Sequence, residues 1–154
     1  KENGLSVVPS FSFLAYGLTA SNIQEKSTDI KIDFEKFLTS HDHPAVTGWC
    51  LGDEPDFLET QRDASFHLGF AQLLTGLSSS ITSHRFKKNS AGSSLPLTVD
   101  MFLVDLKDSA IPAIESAVQL DNWVINVIGG NSARVLDELK SKKSYTSKSV
   151  IVQF

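Results

Sequence analysis

Hydrophobic residues in this chain form two kinds of pattern, which alternate from its beginning to its end. Runs of β-branched and aromatic residues, such as Leu5–Phe13, are typical of buried strands. Between the runs, apolar residues recur at every third or fourth position, which is the spacing of one helical face. The runs predict five strands, at Leu5–Phe13, Ala45–Leu51, Leu95–Val104, Trp123–Ile128 and Ser149–Phe154.

The segments between the strands predict four helices. They are Asp29–Ser40, Phe57–Leu77, Ser109–Leu120 and Ser132–Lys142. Asp29 is of a residue type that commonly caps a helix N-terminus, so we expect the first helix to begin there. The apolar residues Ile30, Phe34, Phe37 and Leu38 then share one face. The Ser-rich stretch 78–94, with its basic cluster His84–Lys88, is expected to be a solvated loop.

The regular alternation of strands and helices predicts an α/β fold. Continuous apolar strands are typical of parallel sheets that are covered on both faces, with right-handed crossovers carrying the helices. Two architectures fit this order, a doubly wound open sheet and part of a (β/α)8 barrel. Neither G-x-G-x-x-G nor G-x-x-x-x-G-K-[ST] occurs in the sequence, so nothing favours nucleotide binding.

Composition narrows the classes of partner. The chain has 154 residues, is 41% hydrophobic and carries 14 basic against 18 acidic side chains, a formal net charge of −4. The acidic excess argues against nucleic acid as the main partner. No apolar run reaches the roughly 18 residues of a membrane span, so no membrane partner is expected. Cys50 is the only cysteine, which excludes a disulfide scaffold; we expect it to be a small buried residue.

The segment with the clearest chemistry is His43–Pro55, whose sequence is HPAVTGWCLGDEP. A buried strand there delivers two carboxylates, Asp53 and Glu54, at its carboxyl end, where parallel α/β folds build their active sites. Neighbouring side chains on a strand point in opposite directions, so the two carboxylates are expected to have different surroundings. A glutamate held beside apolar surface such as Trp49 has a raised pKa and suits a general acid.

This segment resembles strand 4 of a clan of retaining (β/α)8 glycoside hydrolases, which includes β-galactosidase-, β-glucuronidase- and cellulase-type enzymes. The resemblance implies that Glu54 is the acid/base and that Asp53 stands where the clan usually has a sugar-binding Asn. It also implies a partial (β/α)8 TIM barrel, with the five strands as strands 3 to 7. In the clan, the seventh strand ends with the nucleophilic Glu. This chain has Gln153 there, so the nucleophile is either replaced or lies beyond Phe154.

Four further residues are candidates for substrate binding. Asp100, near the end of the third strand, is a candidate for binding a sugar hydroxyl, or alternatively faces the helices or acts as a cap. Phe13, Tyr16 and Trp49 are candidates for stacking on a sugar, or alternatively belong to the core. Neither a metal nor another cofactor is expected. His41 and His43 are the only pair that suggests a metal, and no other ligand completes a known spacing.

Together these features predict a glycoside hydrolase-like domain, whose substrate is a carbohydrate or glycoside. We expect residues 1–154 to be one α/β domain from a larger catalytic domain, with the parent chain supplying the remainder of the barrel. Whether the domain is an enzyme depends on the missing nucleophile. A non-catalytic carbohydrate-binding or scaffold protein and an unrelated five-stranded α/β domain stay open as alternatives. A secreted or extracellular location follows only if the parent is a glycosidase.

Overall fold

The computed structural model describes residues 7–51, 64–88, 97–102, 110–117, 122–126, 132–144 and 146–153. Strands and helices alternate along these residues, as the hydrophobic pattern predicts. The strands are β1 (Ser10–Phe11), β2 (Trp49–Leu51), β3 (Leu97–Phe102), β4 (Asn122–Asn126) and β5 (Ser149–Gln153). The helices are α1 (Ile23–Ser40), α2 (Ala64–Lys88), α3 (Ala110–Ala117) and α4 (Ser132–Lys143), and a 3-10 turn spans Leu14–Tyr16.

The five strands form one parallel sheet in the order β1-β2-β3-β4-β5. Each strand therefore lies beside the strand that follows it in the chain, and all carboxyl ends lie at one edge of the sheet. One register row runs through the residues Phe11, Leu51, Val99, Trp123 and Val150. The adjacent row contains only small or polar residues, namely Ser10, Cys50, Thr98, Asn122 and Ser149.

The prediction of a partial (β/α)8 TIM barrel is wrong for the residues described. They form an open sheet, in which the outer strands β1 and β5 each pair with a single neighbour. A barrel needs every strand to be paired on both sides, with a fixed stagger around the ring. The alternation of strands and helices is the same in an open parallel sheet and in a barrel. Hydrophobic periodicity therefore had no means of separating the two.

β1 is shorter than the predicted strand Leu5–Phe13. Residues 5 and 6 lie outside the described residues, and Val7 makes an isolated parallel bridge to Val46. Pro9 separates that bridge from β1, and it has no N–H to donate to a neighbouring strand. Its carbonyl still accepts a hydrogen bond of 2.9 Å from the Cys50 N–H. Pro9 therefore limits β1 to an outer position in the sheet.

α1 begins at Ile23, six residues before the predicted start at Asp29. Asn22 is the N-cap residue, and in the turn before the helix it bonds reciprocally with Thr19. The Thr19 N–H donates to Asn22 Oδ1 at 2.8 Å, and the Asn22 N–H donates to Thr19 Oγ1 at 3.2 Å. This pattern resembles a capping box with Asn in place of Glu or Gln. Asp29 is therefore an exposed residue inside the helix.

α2 extends to Lys88, well past the predicted end at Leu77. The Ser-rich segment was expected to be a loop, because Ser disfavours helix interiors by competing for backbone hydrogen bonds. In the structure these hydroxyl groups bond to carbonyls of the same helix. Ser79 Oγ donates to the Thr75 carbonyl, and Thr82 Oγ1 donates to the Ser78 carbonyl. The buried Ile81 extends the core-facing side.

The core lies between the sheet and the helices. Phe11 of β1 packs edge-on against Phe34 and Phe37 of α1, with ring centroids 5.0 and 5.3 Å apart. Phe13 packs in the same way against Phe70 of α2, at 5.5 Å. Further core residues are Ile30, Leu38, Leu51, Leu74, Leu77, Ile114 and Trp123. The predicted apolar face of the first helix is thus confirmed. In the described part of the chain, no helix has the length and apolar character needed to cross a membrane.

The contact between α1 and α2 leads to a prediction about two glycines of α2. A methyl group on Gly69 meets Ile23 Cγ2 at 2.6 Å, whereas one on Gly76 meets nothing within 4 Å. We expect Gly69→Ala to lower the free energy of unfolding by about 1–3 kcal/mol through overpacking. Gly76→Ala should raise it by about 0.5–1 kcal/mol, because Ala is the better helix former. Urea denaturation of both variants measures the difference, and equal effects would contradict this helix contact.

Candidate functional site

The candidate site lies at the carboxyl edge of the sheet, where the strand that carries the sequence motif ends. β2 ends at Leu51, and the chain continues with Gly52, Asp53, Glu54 and Pro55. These four residues lie outside the described residues, so the roles of Asp53 and Glu54 stay predictions. β2 pairs with β1 on one side and with β3 on the other. The strand within the motif is therefore an interior strand of the sheet.

Two other predicted positions lie on strands of the same sheet. Asp100 is on β3, paired with Val124, one position closer to the carboxyl edge than Val99, the partner of Leu51. Gln153 is the last residue of β5 and pairs with Asn126, the last residue of β4. The backbone positions of both candidates therefore belong to the carboxyl-terminal half of their strands. Asn126 was not singled out from the sequence, because only the register pairs it with Gln153.

Phe13 and Trp49 are core residues, with exposed fractions of only 1% and 3%. Trp49 packs edge-on against Phe37, with centroids 5.8 Å apart, on the side of the sheet that faces α1. Neither ring offers an open face to a sugar in the described structure, and their substrate-binding role stays a prediction. The Trp49 Nε1 atom is buried and has no hydrogen-bond partner among the residues that the structure describes. An unpaired buried donor destabilises the fold, by about 1–3 kcal/mol.

Tyr16 is in a different setting, because its hydroxyl reaches a charged group on α1. The hydroxyl donates to Asp33 Oδ2 at 3.1 Å, and Asp33 Oδ1 accepts from Lys36 Nζ at 2.9 Å. Lys26 Nζ donates to the Tyr16 carbonyl. These contacts hold the 3-10 turn that follows β1 against α1, at Lys26 in its first half and at Asp33 in its second half.

The residues that make these contacts line a cleft of about 440 Å³. The cleft is lined by Ala15, Tyr16, Lys26, Asp29, Ile32, Asp33 and Lys36. The four charged residues recur at intervals of three and four on α1, and so form a stripe beside its buried face. The stripe is not visible in the sequence when the first helix is predicted to begin at Asp29, because Lys26 then belongs to a loop. Helical spacing of charges extended back to position 26 is the signal that identifies it.

The cleft shifts the pKa values of two of its residues. Burial, followed by the hydrogen bond to Asp33, raises the pKa of Tyr16 to about 12. The hydrogen bonds from Lys36 and then from Tyr16 lower the pKa of Asp33. A lowered folded-state pKa means that ionised Asp33 favours the fold at neutral pH, and that this contribution is lost as the pH falls through the folded pKa.

The remaining candidates have structural contacts. Cys50 is buried, as expected for a small residue in an apolar strand. His43 Nδ1 accepts from the Ala45 N–H at 3.1 Å, which fits a brace at the entry of the strand. His41 Nδ1 lies 2.9 Å from the Phe37 carbonyl. Among the residues described, no group of three His, Cys, Asp or Glu side chains is arranged to hold a metal ion.

Comparisons of this chain with protein-family models, with curated proteins and with solved structures found no match. The function is therefore inferred from the residues of the chain itself.

The two tryptophans provide a test of the local packing. Trp123 Nε1 donates to Glu115 Oε1 at 2.7 Å, whereas Trp49 Nε1 has no acceptor within the described part of the chain. We expect Trp123→Phe to cost about 1.5–3 kcal/mol more than Trp49→Phe, because only the first change removes a hydrogen bond to a charged group. Both lose similar ring area, so each serves as the control for the other. Equal losses in urea denaturation would contradict the assignment of Trp49 as unpaired.

The phenol of Tyr16 can be titrated directly. Tyr145→Phe leaves it as the only tyrosine, and phenolate absorbance should then give a pKa of about 12. Since the pKa of Tyr16 is raised in the folded protein, the contribution of its protonated phenol to stability is complete below about pH 10. That contribution is lost as the pH rises through about 12. Adding Asp33→Asn should lower the Tyr16 pKa. Far-UV circular dichroism at each pH shows that the chain is folded, and a midpoint near 10 in folded protein would contradict the described contact.

Proposed function

We propose that this domain hydrolyses glycosidic bonds, with Glu54 as the general acid/base. The observation that carries the proposal is the place of the motif in the chain. The motif HPAVTGWCLGDEP includes β2, an interior strand of a parallel sheet. In the sequence, its two carboxylates follow Leu51, the last residue of β2, after one glycine. In open and closed parallel α/β folds alike, ligands bind at this edge.

Glu54 suits the chemistry of the first step. Cleavage of a glycosidic bond needs a proton on the leaving oxygen, and a carboxyl group with a raised pKa supplies it near neutral pH. The preceding strand is fully buried, with Leu51 at 0% exposure. Apolar surroundings of this kind disfavour the charged form of a neighbouring carboxyl group. Asp53 would serve to hold a sugar hydroxyl or to favour one ionisation state of Glu54.

Hydrolysis also needs a second carboxyl group. Retaining enzymes place the two about 5–5.5 Å apart, and inverting enzymes about 6.5–9.5 Å apart. Gln153 ends β5 and cannot fill this role, because a neutral amide neither attacks the sugar nor activates water. The proposal therefore requires a carboxylate from another position. Asp100, in the carboxyl-terminal half of β3, stays a candidate for contact with the substrate.

A second function is favoured by one specific observation. Asn126 and Gln153 pair at the last position of β4 and β5. Amide side chains both donate to and accept from hydroxyl groups, which suits carbohydrate binding without catalysis. In this alternative the domain binds a glycan, and Glu54 is one more polar contact.

Replacement of Glu54 separates the two functions. In the full-length natural protein, we expect Glu54→Gln to lower kcat by 10²–10⁴-fold on aryl glycosides with poor leaving groups, because proton donation is lost. The loss should be much smaller for dinitrophenyl glycosides, whose leaving group needs no proton. The fall of kcat at high pH, which the deprotonation of Glu54 causes in this proposal, should be absent in the variant.

Glu25→Gln is the matched control, since it removes one carboxylate from an exposed position of α1. It should leave hydrolysis unchanged. Wild-type protein that binds glycans without hydrolysing any glycoside in the panel supports the non-catalytic alternative. Unchanged hydrolysis by Glu54→Gln would remove Glu54 from the acid/base role.

A further inference from the structure

We propose that the cleft between Tyr16 and α1 is a subsite for one neutral sugar ring of an oligosaccharide. The inference deepens the proposed function and rests on it for the class of ligand. It assigns a binding role to Lys26 and Asp29, and it makes the preferred ligand an extended glycan rather than a monosaccharide.

One wall of the cleft, Tyr16, belongs to the turn that follows the carboxyl end of β1. Tyr16 follows β1 closely in the chain, and the last residue of β1, Phe11, pairs with Leu51 of β2. Tyr16 is also fastened to α1 through Asp33 and through Lys26. A glycan held at the carboxyl edge of the sheet can thus extend towards the cleft.

The polar groups of the cleft suit neighbouring hydroxyl groups. Lys26 Nζ gives one of its three protons to the Tyr16 carbonyl, so two remain for a ligand. The exposed carboxylate of Asp29, three residues further along the helix, has no hydrogen bond or ion pair to the residues described. An ammonium donor beside a carboxylate acceptor matches two adjacent hydroxyl groups, each of which both donates and accepts.

The charge and shape of the cleft favour a neutral ligand. Two lysines and two aspartates line it, so their charges cancel and no net field selects an anion or a cation. Ile32, which is 47% exposed, and the ring of Tyr16 add apolar surface for the C–H face of a sugar. The volume of about 440 Å³ is within the roughly 300–1,000 Å³ of ligand pockets.

The binding test uses ¹⁵N-labelled full-length protein and a panel of neutral linear tetrasaccharides. We expect the amide resonances of residues 26–36 to shift in a saturable way with at least one of them. Asp29→Asn should weaken that binding about tenfold, and Tyr16→Ala should weaken it at least as much. Glu25→Gln, which makes the same change of charge on an exposed position of the same helix, should leave the affinity unchanged.

Three outcomes overturn the proposal. They are the absence of any shift at 26–36, a shift that Asp29→Asn and Glu25→Gln alter equally, and a saturable shift with glycine but with none of the tetrasaccharides. The last result would assign the cleft to a zwitterionic ligand. The second outcome includes a shift that disappears in Tyr16→Ala but is left unchanged by both Asp29→Asn and Glu25→Gln, which would contradict the role of the carboxylate.

Kinetics distinguish the failure of this subsite from the failure of the proposed function. In Asp29→Asn, KM for an aryl tetrasaccharide should rise about tenfold with kcat unchanged, while both constants stay the same for the aryl monoglycoside. A purely structural role would alter both substrates together. Glu54→Gln should lower kcat for aryl glycosides with poor leaving groups and leave the shifts at 26–36 intact. Hydrolysis without the KM difference refutes the subsite alone, and sugar binding at 26–36 without any hydrolysis refutes catalysis alone.

Discussion

The packing of aromatic rings between the sheet and α1 is the contact on which the rest of the described structure depends. Phe11 belongs to a strand of only two residues, yet its ring lies within 5.0–6.3 Å of four others. A strand so short gains little from its own hydrogen bonds. It is held in the sheet because edge-on ring pairs and buried apolar area stabilise it far more than two ladder positions can.

This packing also determines the rotation of α1 about its axis, and so the position of the charged stripe. Once Ile30 and Phe34 are buried, the neighbouring stripe from Lys26 to Lys36 must lie beside Tyr16, which follows β1 in the chain. The hydrogen bond from Tyr16 to Asp33 then fastens the turn to the helix. A cleft with balanced charges is therefore a consequence of how the core is packed.

The proposed function places different demands on the motif and on the cleft. The proposed proton transfer by Glu54 needs surroundings that raise the pKa of a carboxyl group. Recognition of a glycan needs exposed groups that both donate and accept, which are the groups that line the cleft. An amide cannot form a glycosyl-enzyme, so the proposed hydrolysis depends on a second carboxylate from a residue other than Gln153.

The sequence by itself determined the order of strands and helices, the buried face of α1 and the motif that ends in Asp53 and Glu54, because periodicity and residue type are local properties. It failed at the start of α1, where Thr19 and Asn22 bond each other in the turn before the helix, and at the end of α2, where Ser side chains bond the helix itself. Only the tertiary structure decided that the sheet is open, that Trp49 is in the core with an unpaired N–H, and that Tyr16 meets Asp33. These features depend on contacts between residues distant in the chain, which no local pattern records.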